Sequence, residues 1–151
     1  VTRWLSADEQ RLWRGWIAAS MLLPDRLNRD LQERHGLTGT DYQILVELSE
    51  SPDRRMRMST LADRTLLSRS RLSHQIDRMT KAGLVERQVC EQDGRGMWAV
   101  MTDHGWETIV RAAPDHVESV RRHLLDVLTP EQFQAFGEAC IRVAGALRPS
   151  E

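Results

Sequence analysis

The sequence predicts a mainly α-helical fold with one small β-hairpin: a helix-turn-helix in the middle, long helices on either side. Three observations predict it. Two short capped apolar segments between Ser59 and Gly83 are separated by a tight bend. The apolar period changes from about 3.6 to 2 just after Gly83. Long helical stripes occupy both ends of the 151 residues.

Ser6 and Glu9 have capping-box spacing and open the first helix. Leu12, Trp13, Trp16, Ile17, Leu23, Leu27 and Leu31 continue along one helical side. Pro24 interrupts that run, so the helix kinks there or two helices meet. His35-Gly36 closes the segment. A second helix is expected from about Thr40 to Ser49, with Thr40 and Gln43 at capping spacing and Tyr42, Leu45, Val46 and Leu48 on its buried face. Ser51-Pro52-Asp53 reads as a turn.

Ser59 is expected to cap a short helix to about Thr65, burying Leu61 and Ala62. Leu66-Leu67 lies in the bend. Ser68 caps the next helix, whose Leu72, Ile76 and Met79 fall at i, i+4 and i+7, and Gly83 stops it. Val85, Arg87 and Val89 then alternate with Glu86, Gln88 and Cys90. Residues 92–96 form a flexible turn, and Trp98 and Val100 alternate beyond it, as in a two-stranded hairpin. Thr102 is expected to cap a long helix to about Leu128, with Pro114 inside it. Thr129-Pro130-Glu131-Gln132 is a helix start with a Thr cap, Pro at the first position and Gln at the third. The final helix carries Phe133, Phe136, Cys140, Val143, Ala144 and Leu147.

Charge is nearly balanced overall, with 21 basic and 22 acidic residues. It is unevenly placed. Arg54 to Arg95 holds ten Lys/Arg against five Asp/Glu, a net of +5, which leaves −6 for the rest. A basic middle between acidic ends suits a chain that meets a polyanion with one part of its surface. No signal-like N-terminus and no membrane-length apolar run is visible, so a cytoplasmic protein without a membrane partner is expected. The two cysteines, Cys90 and Cys140, form no CxxC pair. The histidines form no His-Glu-x-x-His motif, and neither a metal nor a cofactor is expected. Cys140 is expected to be buried packing, and Cys90, on the hairpin, to be accessible but inert. No nucleophile-elbow, P-loop or dinucleotide fingerprint is found, which removes the motif-based case for an enzyme.

A helix that enters the major groove needs an apolar face to dock on and polar donors opposite it. Leu72, Ile76 and Met79 supply the first; Arg69, Ser70, Arg71, His74, Gln75 and Arg78 supply the second. Arg can donate two bonds to guanine and Gln can pair with adenine. Amides at the helix start near Ser68 can face a phosphate. At the hairpin tip Arg95 lies between two glycines and can enter the minor groove, with Asp93 orienting its guanidinium. Two such units related by a two-fold axis would read half-sites roughly 34–36 Å apart, and the acidic, stripe-rich ends are candidates for joining them. The competing reading is a winged-helix protein-interaction module without specific duplex binding.

These residues resemble the MarR family (multiple antibiotic resistance regulator type) of bacterial transcription regulators over nearly the whole chain. The resemblance rests on Leu61-Ala62, Ser68 to Gly83 followed by Leu84-Val85-Glu86-Arg87, Asp93-Gly94-Arg95, and Met101-Thr102-Asp103-His104-Gly105. Met101 stands where the family usually has Leu. The resemblance implies a winged helix-turn-helix at 40–101 flanked by dimerisation helices at 1–39 and 102–151. It further implies a homodimer on a palindromic operator in double-stranded DNA. Most such proteins repress, and many leave DNA when a small aromatic or phenolic effector binds. It implies groove or phosphate contacts by Ser68, Arg69, Ser70, Arg71, His74, Gln75 and Arg78, and a wing contact by Arg95 supported by Asp93. Trp13 and Trp16, with His35 and Tyr42 for polar contacts, are the candidate effector residues. Some members of the family sense oxidants through a cysteine near the start of the first helix, and this chain has none there.

Overall fold

A computed structural model describes residues 1–92, 94 and 96–148. The elements are α1 (Ala7–His35), α2 (Gly39–Ser49), β1 (Arg55–Arg57), α3 (Met58–Thr65), α4 (Arg69–Lys81), β2 (Val85–Val89), β3 (Met97–Met101), α5 (Asp103–His123) and α6 (Pro130–Leu147). Single 3-10 turns at Pro52–Arg54 and Leu125–Val127 join them. The fold is the expected mainly α winged helix. Among the described residues no helix is long and apolar enough to cross a membrane.

Two compact units form. One is Pro24–His116; the other is Val1–Leu23 together with the chain from Val117 on. The divisions fall inside α1 and α5.

In the Pro24–His116 unit, α2, α3 and α4 pack with a small antiparallel sheet of order β1-β3-β2. Leu45, Leu48, Leu61, Leu72, Ile76 and Val85 are among the side chains sealed in its core. Met56 opposes Ala99 across the β1–β3 pair, and Val85 opposes Met101 across β2–β3. Strand β3 buries Ala99 and Met101. Its other face carries Trp98, with the Arg55 guanidinium 4.7 Å from the ring centroid.

In the other unit, the start of α1 is capped as expected. Glu9 accepts the Ser6 backbone N–H at 2.8 Å, and Ser6 Oγ accepts the Glu9 N–H at 3.2 Å. The Ser6 backbone N–H, followed by the Ser6 hydroxyl, holds the Glu9 carboxyl below its ordinary range. Trp16 meets Phe136 at 6.1 Å between ring centroids in a tilted arrangement. No residue of α6 is buried, although its cap forms as expected between Thr129 and Gln132.

Local corrections have identifiable causes. Pro24 lies inside one continuous α1 rather than between two helices. Helix α2 starts earlier than expected. Its cap is Thr38, and the reciprocal partner is Asp41, whose carboxylate accepts the Thr38 N–H at 2.8 Å. An ionised carboxylate is the stronger acceptor, so this box prevails over Thr40 with Gln43. Helix α3 lacks a side-chain cap, because β1 leads straight into it: Arg57, still paired with Trp98, occupies the cap position in place of Ser59. Strand β1 has no counterpart in the sequence reading: its Arg-Met-Arg alternation spans only three residues, too few to mark a strand. Helix α5 ends at His123 rather than Leu128, where Leu124 leaves helical backbone angles for the 3-10 turn. Cys90 is 2% exposed and accepts a hydrogen bond from Arg57 Nη2 at 3.2 Å, so its expected accessibility is not found. Cys140 is half-buried rather than buried.

Candidate nucleic-acid interface

The interface is built outward from α4. Its N-terminus is set by the turn before it. Leu66 closes α3 in the left-handed region at φ 57°. Ser68 then stands extended at φ −64°, ψ 154°, and its Oγ accepts the Arg71 N–H at 3.2 Å. Leu72, Ile76 and Met79 dock on the core at 1% exposure or less. Opposite them, Ser68, Arg69, Ser70, Arg71, His74 and Arg78 are all exposed. The α4 N-terminus adds the partial positive charge of unpaired amides to two arginines in the first turn.

Gln75 is placed differently from its neighbours. It is half-buried, its amide nitrogen donates to Asp41 of α2, and its carbonyl accepts from Arg78 Nη2 at 2.7 Å. Asp93 and Arg95, the expected wing pair, lie outside the described residues. The strands that carry the tip are described. Cys90 N–H donates to the Gly96 carbonyl at 2.7 Å, and Gly94 takes the positive φ that glycine permits.

Arg87, a strand position in the sequence pattern, has a further task in the structure. Its Nη2 donates to the Ser73 carbonyl and hydroxyl, both at 3.0 Å, and to Asp77 at 2.8 Å. This ties β2 to the middle of α4, so the hairpin and the exposed face of that helix keep one spacing. The signal available in the sequence was a charged residue at an inward position of a two-period strand. Asp41 was missed for a different reason, since its partner Gln75 lies 34 positions away.

The candidate effector residues divide between the two units. Trp13 and Trp16 belong to the N-terminal part of α1 and are 53% and 43% exposed. His35 Nε2 lies 2.8 Å from Asp115 Oδ2, with Arg34 3.4 Å from the same carboxylate. Tyr42 lines an open cleft of about 510 Å³ in the Pro24–His116 unit, together with Leu27, Asn28, Gln43, Val46 and His116. Its ring lies 4.2 Å from that of His116. His116 Nδ1 is enclosed and has no hydrogen-bond partner among the described residues. Burial pushes the His116 pKa down and the Tyr42 pKa up. Among the described residues no group of three or more His, Cys, Asp or Glu could hold a metal ion.

Comparison with known proteins agrees with this geometry. The sequence model of the MarR family matches residues 35–96. Sco3205, a MarR family transcriptional regulator from Streptomyces coelicolor solved in complex with DNA, is 48% identical. The match covers 99% of this chain and 94% of that one, with a TM-score of 0.96. AbsC, a MarR family transcriptional regulator from the same organism, is 52% identical over 97% of this chain and 99% of its own, with a TM-score of 0.93. The homoprotocatechuate degradative operon repressor of Escherichia coli is 30% identical over 106 residues, 70% of each chain.

Proposed function

The chain belongs to the MarR family of DNA-binding transcription regulators, a family of regulators and not of enzymes, and from that premise we propose that it works as a cytoplasmic homodimer on a palindromic operator. The observation that carries this reading is α4 itself. One side is locked into the core by Leu72, Ile76 and Met79, and the other offers Arg69, Arg71, His74 and Arg78 to solvent. A helix so docked can lie in a major groove with its donors at base edges and phosphates. Arg95, with Asp93, is proposed as the minor-groove contact of the hairpin tip.

Dimerisation is supported by the apolar surface of the α1–α6 unit. Leu12, Trp13, Ile17, Phe133, Ile141 and Leu147 are all more than a third exposed. Solvated apolar groups on this scale mark association surfaces. A two-fold dimer would set its half-sites roughly 34–36 Å apart.

Repression is the proposed sign of regulation, supported by the relationship to the homoprotocatechuate degradative operon repressor. A small aromatic or phenolic effector is proposed for the cleft beside Tyr42. Apolar walls from Leu27 and Val46 suit a ring, and the unpartnered His116 Nδ1 suits its polar substituent. Release requires that this molecule bind the DNA-incompetent arrangement more tightly than the competent one.

Selection from random duplexes, followed by a footprint and sedimentation of the protein alone, tests the reading. A symmetric footprint and a dimer are expected. A chain that binds all duplexes alike would favour the interaction-module alternative. A monomer at micromolar concentration would remove the paired half-sites.

A further inference from the structure

The two carboxylate oxygens of Asp41 serve different helices. Oδ2 accepts the Thr38 N–H and completes the α2 cap. Oδ1 accepts the side-chain N–H of Gln75 on α4. The Gln75 carbonyl in turn accepts from Arg78 Nη2. A carboxylate only accepts and a guanidinium only donates, so the amide between them has one orientation that satisfies both. The chain carboxylate, amide, guanidinium starts on a capped helix end and finishes on the exposed face of α4.

From this arrangement we infer that Asp41 is a positioning residue for DNA recognition, which acts through Gln75 to hold the Arg78 guanidinium in one direction at the nucleic-acid face. The inference rests on the DNA-reading role of α4 proposed above. A free arginine must be ordered when it binds, and ordering it beforehand removes that cost from the encounter. Arg78 itself would touch DNA; Asp41 would not.

The polarity of the chain supplies the test. Asp41→Asn turns one acceptor into a donor. With the remaining oxygen kept on Thr38, the new NH2 faces Gln75, whose carbonyl must turn to accept it. The Gln75 NH2 then confronts the Arg78 guanidinium, donor against donor. Adding Gln75→Glu restores an acceptor toward both neighbours, and the pair keeps its net charge. Parent, Asp41→Asn and the double variant are to be compared for discrimination between the selected operator and its single-base-pair variants. Side-chain 15N relaxation of Arg78 is measured on the same free, full-length proteins.

Asp41→Asn is expected to lower discrimination about tenfold, within the usual range for coupled neighbours, and to increase Arg78 mobility. The double variant is expected to regain most of both. If Asp41→Asn unfolds, Gln75→Ala leaves the α2 cap whole and is expected to free Arg78 alone. Unchanged Arg78 relaxation in these variants overturns the inference. So does a loss that the double variant does not recover, since that is the signature of a cap and nothing more. A parent that selects no duplex sinks the DNA-reading role first, and this inference with it.

Discussion

Thr102 Oγ1 donates to the Gly83 carbonyl oxygen at 2.6 Å and accepts the Gly105 N–H at 3.0 Å, so one hydroxyl fastens the turn after α4 to the first turn of α5. The Thr102 backbone N–H adds a bond to the Leu84 carbonyl at 3.1 Å. The Thr-x-x-Gly pattern at 102–105 is therefore a clasp. It fixes the start of α5 against the turn that follows α4.

The clasp leaves no room at Gly105. A Cβ there would lie 2.2 Å from the Leu84 carbonyl oxygen, and that atom is backbone. Gly105→Ala is expected to cost about 1–3 kcal/mol or more through forced backbone displacement. Urea unfolding measures this, and an unchanged midpoint would show that the backbone at Leu84 gives way without cost.

Loss of a groove contact and loss of a cap should separate on α4. Arg71→Ala is expected to reduce discrimination against single-base changes by roughly 1–3 kcal/mol if the contact is bidentate, with the melting temperature nearly unchanged. Ser68→Ala removes the α4 cap and is expected to cost about 1 kcal/mol of stability. Identical operator preference in the parent and Arg71→Ala would remove Arg71 from the set of base-reading residues.

The wing is tested by salt. Arg95→Ala is expected to weaken binding to all duplexes and to lower the slope of log affinity against log salt by about 1, the share of one phosphate-neutralising cation. A parental slope in that variant would argue that the hairpin tip stays away from the duplex.

Acid should destabilise the fold in part through His116. Its pKa is held below the ordinary value by burial. In the window between the folded value and the unfolded value of about 6.5, the unfolded chain binds more protons, so stability falls as pH drops below about 6.5 and is intact above it. Chemical denaturation on either side of that pH, in the parent and in His116→Phe, isolates the contribution. The variant is expected to show the shallower loss; equal losses would mean that His116 does not carry it.

Peroxide should leave operator binding unchanged. Cys90 is enclosed, with Arg57 donating to its sulfur, and oxidation requires access. Cys90→Ser is expected to match the parent before and after treatment. Release of the parent by peroxide, absent in that variant, would show that the thiol opens to solvent.

Much of the candidate site was legible along the chain because it depends on neighbours in sequence. Ser68 as cap, Leu72, Ile76 and Met79 as anchor, and Gly83 as stop all act within a few turns of one helix, where residue type and spacing decide the outcome. The same holds for Ser6 with Glu9 and for Thr129 with Gln132. Where two local solutions competed, as at Thr38 and Thr40, spacing alone could not rank them, and the stronger carboxylate acceptor prevailed.

What the sequence determined by itself was the order of helices, the hairpin, Thr102 as the cap of α5 and the basic middle, since each follows from periodicity, caps and charge within short windows. Only the tertiary structure decided that Arg55–Arg57 becomes a third strand, that Cys90 is closed off by Arg57, and that Gln75 answers to Asp41 as well as to Arg78. Those outcomes join residues more than thirty positions apart. A hydrogen bond across such a distance exists only after the core has brought its partners together, and no local pattern encodes which acceptor a half-buried amide will meet.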